Sequence, residues 1–197
     1  MPYDGYNDRE LNDMIRPIHH LDADLTNVCF PTPNRAFNGA AWSAYPKLQH
    51  NTNCYCYALG MPEMGNAQPG SLIYAEPSYS DIGEGFTIFN EEDVRDRVTS
   101  DGLIMISEDE ALSGDVHAIA MTVATDDDFH FFLRDADGTW SDKMGCKAVQ
   151  KNPHITIPSK HALTDRYKKF AGYYTIPAQG IDYTPRLSIP APILRLF

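Results

Sequence analysis

The sequence is poor in cysteine and in basic side chains, and it contains no long apolar run. Four cysteines, at positions 29, 54, 56 and 146, are too few for a disulfide-stapled scaffold of 197 residues. The Cys54-x-Cys56 spacing is not the C-x-x-C of redox or zinc motifs, and Cys29 and Cys146 read as small buried hydrophobes. Sixteen Lys and Arg stand against 27 Asp and Glu, a net charge of −11, which repels phosphate backbones and excludes nucleic acid as an expected partner. No stretch reaches the roughly 18 apolar residues of a membrane helix, so no membrane span is expected. Met1 to Gly5 has neither a basic start nor an apolar run, so no conventional signal peptide is expected. The expected location is cytoplasmic or particle-borne, or outside the cell by a non-classical route. What is present is ordinary for a globular domain: 43% hydrophobic and 22% charged residues, enough for one buried core with extensions.

The two ends differ from the middle. Residues 1–45 read as an N-terminal extended arm, weakly helical around Leu11–Ile15 until Pro17 stops it. Its Cys29-Phe30-Pro31-Thr32-Pro33-Asn34 segment favours an extended path, and Trp42 and Tyr45 give it something to bury. Residues 178–197 read as a C-terminal strap, with Pro185, Pro190 and Pro192 before an apolar Ile193-Leu194-Arg195-Leu196-Phe197 end. Both are expected to lie along residues 46–177, and they offer contact to a protein assembly partner.

Within 46–177 the elements are readable. Asn51-Thr52-Asn53 offers caps for a helix from Cys54 to Leu59 that Gly60 ends. Asn90 with Glu91, Glu92 and Asp93 opens a second helix that closes at Asp101-Gly102. Residues 117–123 alternate small and large apolar side chains, and Phe129–Arg134 returns as the other half of an antiparallel hairpin before a turn at Asp135–Gly138. A third helix is expected over 164–170 and a last strand over 173–176. Helices first and antiparallel strands later predict an α+β class.

Cys54 opens the short helix, where the free N–H groups and the macrodipole favour a thiolate. His130 lies near the start of the strand that follows the hairpin loop, sharing one face with Phe132 and Arg134 while Phe129, Phe131 and Leu133 share the other. Asp142, 12 residues further on, falls on the returning strand, where a carboxylate orients the imidazole. It is expected at the polar rim of the site, accepting from Nδ1–H of His130 and leaving Nε2 for the sulfur. Asp142 also has a plainer reading as a turn carboxylate paired with Lys143. Cys56 lies on the opposite side of the helix, so Cys54 and Cys56 face different ways. His117 is the rival base. Asp135-x-Asp137-Gly138 is better read as a turn than as an ion loop. Cys54, Cys56, His117 and His130 lack the paired spacing of a structural zinc site, so neither metal nor cofactor is expected.

A cysteine opening a helix, a histidine on a later strand and a polar third residue on the next resemble the order of papain-like cysteine peptidases. The 12-residue step is similar to the bacterial cell-wall endopeptidase and amidase branch. The segments N-C-Y-x-Y-A-L and D-F-H-F-x-R-D-x-D-G-T-W-S-x-K-x-G resemble a group of bacterial and phage proteins of papain-like type. In that group histidine stands where this chain has Asp142, and alanine where it has Cys56, which implies that Cys56 is a core residue. The matching stretches, about 51–70 and 101–150, cover roughly a third of the chain.

The resemblance implies a papain-like α+β fold of short N-terminal helices on an antiparallel sheet. It also implies thiol-dependent amide hydrolysis of a cell-wall (peptidoglycan) peptide or a protein. Cys54 is then the nucleophile, His130 the base and Asp142 its orienter. Gln49, five residues before Cys54, is the candidate side-chain donor to the oxyanion beside the nucleophile's own N–H, with Asn51 and Asn53 as alternatives. The alternative is a degenerate papain-like scaffold that serves as an assembly protein, for instance in a phage virion.

Overall fold

The computed structural model describes residues 6–19, 26–73, 90–124, 127–160 and 166–197. The alternation of Ala118, Ala120 and Thr122 with Ile119, Met121 and Val123 sets the architecture, because it suits a strand packed on both faces. That strand, β4 (Ala118–Ala124), is buried at every position. It lies inside a six-stranded antiparallel sheet with β3 (Ile104–Ile106), β5 (Asp128–Arg134), β6 (Trp140–Lys143), β7 (Val149–Asn152) and β8 (Lys169–Thr175). The spatial order is β3-β8-β4-β5-β6-β7. The large residues of β4 meet Phe129, Phe131 and Leu133 on one face, in the main core. The small ones leave room on the other for Phe132, Trp140, Tyr173 and Ala111.

Helix α4 (Cys54–Leu59) sits against the first face with all six residues buried. Burying every side of so short a helix fits its composition, since CYCYAL has no charged residue. α5 (Glu91–Ser100) adds Val94 and Val98 to the same core, and its first turn carries the three acids that complement its dipole. α6 (Glu108–Ser113) brings Ala111 to the opposite face, closed at its start by a Ser107–Glu110 capping box. The mixed α+β class expected from the sequence therefore holds.

The two ends are spent on each other. β1 (Arg16–Pro17) pairs with β10 (Leu187–Ser188), and β2 (Asn27–Cys29) pairs with β9 (Ile181–Tyr183). α1 (Asp8–Met14) starts in an Asn7–Glu10 capping box and buries Leu11. Leu11 and Ile15 join Tyr45 and Leu48 from α2–α3 (Gly39–Ala44 and Pro46–His50) with Leu187, Ile189 and Ile193 of the C-terminal segment. These seven side chains form a second core, and Ile193 enters it from α7 (Ala191–Leu194). Trp42 is fully buried, with Tyr57 and Phe197 edge-on to its ring at 5.1 and 5.0 Å.

Two expectations need correction. A helix was expected over 164–170, of which Thr164 and Asp165 lie outside the described residues. Residues 166–168 are irregular, and Lys169 and Phe170 already belong to β8. Pairing decides it: Lys169 and Phe170 are opposite Val123 and Thr122, and a helix would leave that edge of β4 without a ladder. The register shifts between Met121 and Thr122, opposite Ala171-Gly172, where Gly172 has φ +132°. Cys146, expected to be buried, is exposed in the turn between β6 and β7.

Candidate active site

Asn53 sets the position of the candidate nucleophile. Its backbone is extended, and its Oδ1 accepts the Cys56 N–H at 3.0 Å, closing the first turn of α4. Its Nδ2 donates to the Ala67 carbonyl at 2.8 Å, which fixes the cap to the loop beyond the helix. Gly60 ends the helix at φ +76°, and a Cβ there would run into the Arg35 guanidinium. Cys54 thus occupies the first helical position, where its own N–H has no acceptor within the helix. Cys54 retains 7% exposure and Cys56 none. Burial pushes the Cys56 thiol up to about 12, against the pull of the Asn53 backbone and the nearby Lys143 charge. Cys56 belongs to the core.

His130 comes from β5, opposite Thr122 of β4. Its ring is buried and lies between aromatic neighbours: Tyr167 stacks on it at 5.0 Å and Phe132 stands edge-on at 4.9 Å. Nε2 is 2.8 Å from Oδ2 of Asp142. The other carboxylate oxygen of Asp142 accepts from Nδ2 of Asn152 at 2.6 Å. Burial alone opposes the imidazolium, but its hydrogen bonds with Asp142 and Cys54, and the negative charges both can carry, outweigh it. The histidine is raised to about 9. The structure therefore brings Cys54, His130 and Asp142 together in one chain of contacts, extended by Asn152.

Asp142 differs from its expected setting in three respects. It is 4% exposed, so it lies under the site rather than at the rim. It meets Nε2 of His130, leaving Nδ1 for the sulfur, the reverse of the serine-type arrangement. And Lys143 is not its partner. Successive residues of β6 point to opposite faces, so Lys143 turns away and donates to the carbonyls of Gln49 and Thr52.

The remaining candidates separate clearly. His117 is not in this chain of contacts. Its Nε2–H donates to the Ala58 carbonyl at 2.7 Å and its Nδ1 accepts the Thr32 N–H at 3.0 Å. Burial pushes it down to about 4, and it ties the N-terminal segment to α4 as a neutral ring. The Gln49 amide donates to the Cys146 carbonyl at 3.2 Å, which commits one of its two N–H groups to the β6–β7 turn. Asp135 and Asp137 serve the turn: Ser141 donates to Asp135, and Thr139 and Lys151 donate to Asp137. Among the described residues, no three His, Cys, Asp or Glu side chains converge as metal ligands would.

Asn152 and Tyr167 are the site residues that the sequence reading missed. Asn152 pairs directly with Trp140 and so stands diagonal to Asp142, within side-chain reach. That position follows only from the β6–β7 register. Tyr167 is held over His130 by its hydroxyl, which donates to Asp128 at 2.7 Å. Comparison with protein-family models, with curated proteins and with solved structures found no match for this chain.

Proposed function

We propose that this chain is a thiol-dependent amide hydrolase of papain-like type, acting on a cell-wall peptide or a protein. The observation that carries the reading is the buried His130–Asp142 hydrogen bond beside a cysteine at a helix start. An imidazole held in one orientation and kept cationic to about pH 9 is what a thiolate nucleophile needs next to it. The sulfur of Cys54 attacks the substrate carbonyl carbon, its proton having passed to Nδ1 of His130. The tetrahedral oxyanion takes the Cys54 N–H as a donor. His130 then returns the proton to the leaving amine, which gives a thioester on Cys54. A water attacks the thioester, giving its proton to Nδ1, and the acid departs as Cys54 regains its thiol. Throughout, Asp142 holds Nε2–H, and Asn152 holds Asp142.

The test is labelling of the folded protein with an epoxide inhibitor of papain-type enzymes, followed by peptide mapping. An adduct on Cys54 that is absent in Cys54→Ala and strongly reduced in His130→Ala is expected. Labelling that falls on the exposed Cys146 alone would overturn the proposal.

A further inference from the structure

Lys143 is the one residue at this centre whose charge the proposed reaction does not use. It follows Asp142 in β6 and is fully buried. An ammonium taken out of water costs several kcal/mol unless its protons are all bonded. Here Nζ donates to the carbonyls of Gln49 and Thr52, each at 2.7 Å, and to that of Gly145. Three carbonyls satisfy its three protons, yet among the described residues no carboxylate forms an ion pair with it. Its hydrogen bonds are complete, while no ion pair among the described residues offsets its charge.

The placement of that charge is specific. Gln49 and Thr52 bracket the connection from α3 to α4, and Thr52 is followed only by the cap Asn53 before Cys54. Burial disfavours the ammonium of Lys143, and Cys56, Cys146 and Cys54 are the groups whose negative charge would favour it. A neutral amide has only two N–H donors, so the ammonium is what closes all three carbonyls, and it does so at the desolvation cost of a buried cation.

We propose that Lys143 is a positioning residue for Cys54: it clamps residues 49–52 so that α4 opens at a fixed point, and it holds a buried positive charge behind the sulfur. β6 then serves both halves of the centre, with Asp142 orienting the base on one face and Lys143 fixing the nucleophile's approach on the other. The inference rests on Cys54 being the nucleophile.

The experiment compares the rates at which iodoacetate, an anion, and iodoacetamide, which is neutral, alkylate Cys54 in the full chain at one fixed pH. The adduct is located by mass spectrometry, and a small neutral thiol gives the reference ratio. A buried cation raises the iodoacetate to iodoacetamide ratio above the reference and resists salt screening. In Lys143→Met or Lys143→Gln the ratio should fall on the order of tenfold, as loss of one close charge interaction at intermediate effective dielectric predicts. A folded variant with the wild-type ratio overturns the inference while leaving the hydrolase reading intact. If Cys54 in the wild type reacts with neither reagent, both fail. Should neither Lys143 variant fold, the same ratio is read in His130→Ala, which removes the imidazolium and leaves Lys143. A ratio that stays above the reference at low and high salt supports the charge, and one equal to the reference overturns it.

Discussion

Asp142→Asn removes one charge from the centre while keeping nearly the same shape. In the wild type the carboxylate accepts from Nε2 of His130 at 2.8 Å and from Asn152 at 2.6 Å. An asparagine still accepts from the imidazole, provided that Asn152 turns its amide to present oxygen. What it cannot do is stabilise an imidazolium as a charge. The ring holds its proton to about 9 instead of the ordinary 6.5. That difference corresponds to about 3 kcal/mol, at roughly 1.4 kcal/mol per pH unit. The sign follows from proton binding. Between pH 6.5 and 9 the folded ring is protonated and the unfolded one is not, so the contribution is complete below 6.5 and is lost as pH rises through 9. Asp142 supplies the first of the effects that raise the ring, and burial opposes them. Asp142→Asn is therefore expected to cost about 2–3 kcal/mol near pH 6 and much less above pH 9, somewhat less than the roughly 3–5 kcal/mol of breaking a buried pair outright, because asparagine keeps the hydrogen bond. Urea unfolding of both proteins at the two ends of this window measures it. If the variant loses stability with rising pH as steeply as the wild type, His130 does not owe its charge to Asp142.

His117 predicts the opposite limb. Its ring is neutral when folded and lowered to about 4, so its contribution is present above 6.5 and is lost as pH falls toward 4. His117→Phe should flatten that acid limb in urea unfolding. It should also cost about 1–3 kcal/mol at neutral pH for each of the two backbone groups it leaves unpaired, while Cys54 labelling persists. An acid limb unchanged in the variant would mean that another group carries it. Ile193→Ala opens a cavity in the second core and should cost about 2–5 kcal/mol. Hydrogen exchange should rise first in β1 and β10 and only later in β4 and β5. Uniform loss of protection across the six-stranded sheet would refute the separation of the two cores.

Local signals in the sequence were reliable where a single turn decides the outcome. Asn53 and Gly60 mark α4 to the residue, and Asn90 with Asp101-Gly102 marks α5, because caps act on neighbouring backbone. The hairpin of β4 and β5 was legible in its alternation. The face of Cys54 relative to Cys56 followed from helical angle alone. The burial of Asp142 was not legible, because it depends on Asn152 arriving from β7 in one register. The helix expected over 164–170 failed for a related reason. Tyr167 turns in over His130, and Phe170 completes a ladder with Thr122, neither of which has a trace in local propensity. The histidine ring's orientation also depended on tertiary placement: a 12-residue step brings the two side chains together without choosing between the nitrogens.

The pairing of the two ends has a consequence for synthesis on the ribosome. Leu11, Ile15, Tyr45 and Leu48 emerge well before the surfaces that cover them, Leu187, Ile189 and Ile193. Val28 waits for Asp182 in the same way. In that interval the nascent chain carries an uncovered apolar patch and two unpaired strand segments, the features that draw chaperones and promote misassembly. The six-stranded sheet is complete once residue 175 is made, so the contacts of the candidate site can assemble before the second core closes. Closure of the second core is then the event that seals the molecule. Its slow step is the meeting of segments more than 150 residues apart in sequence.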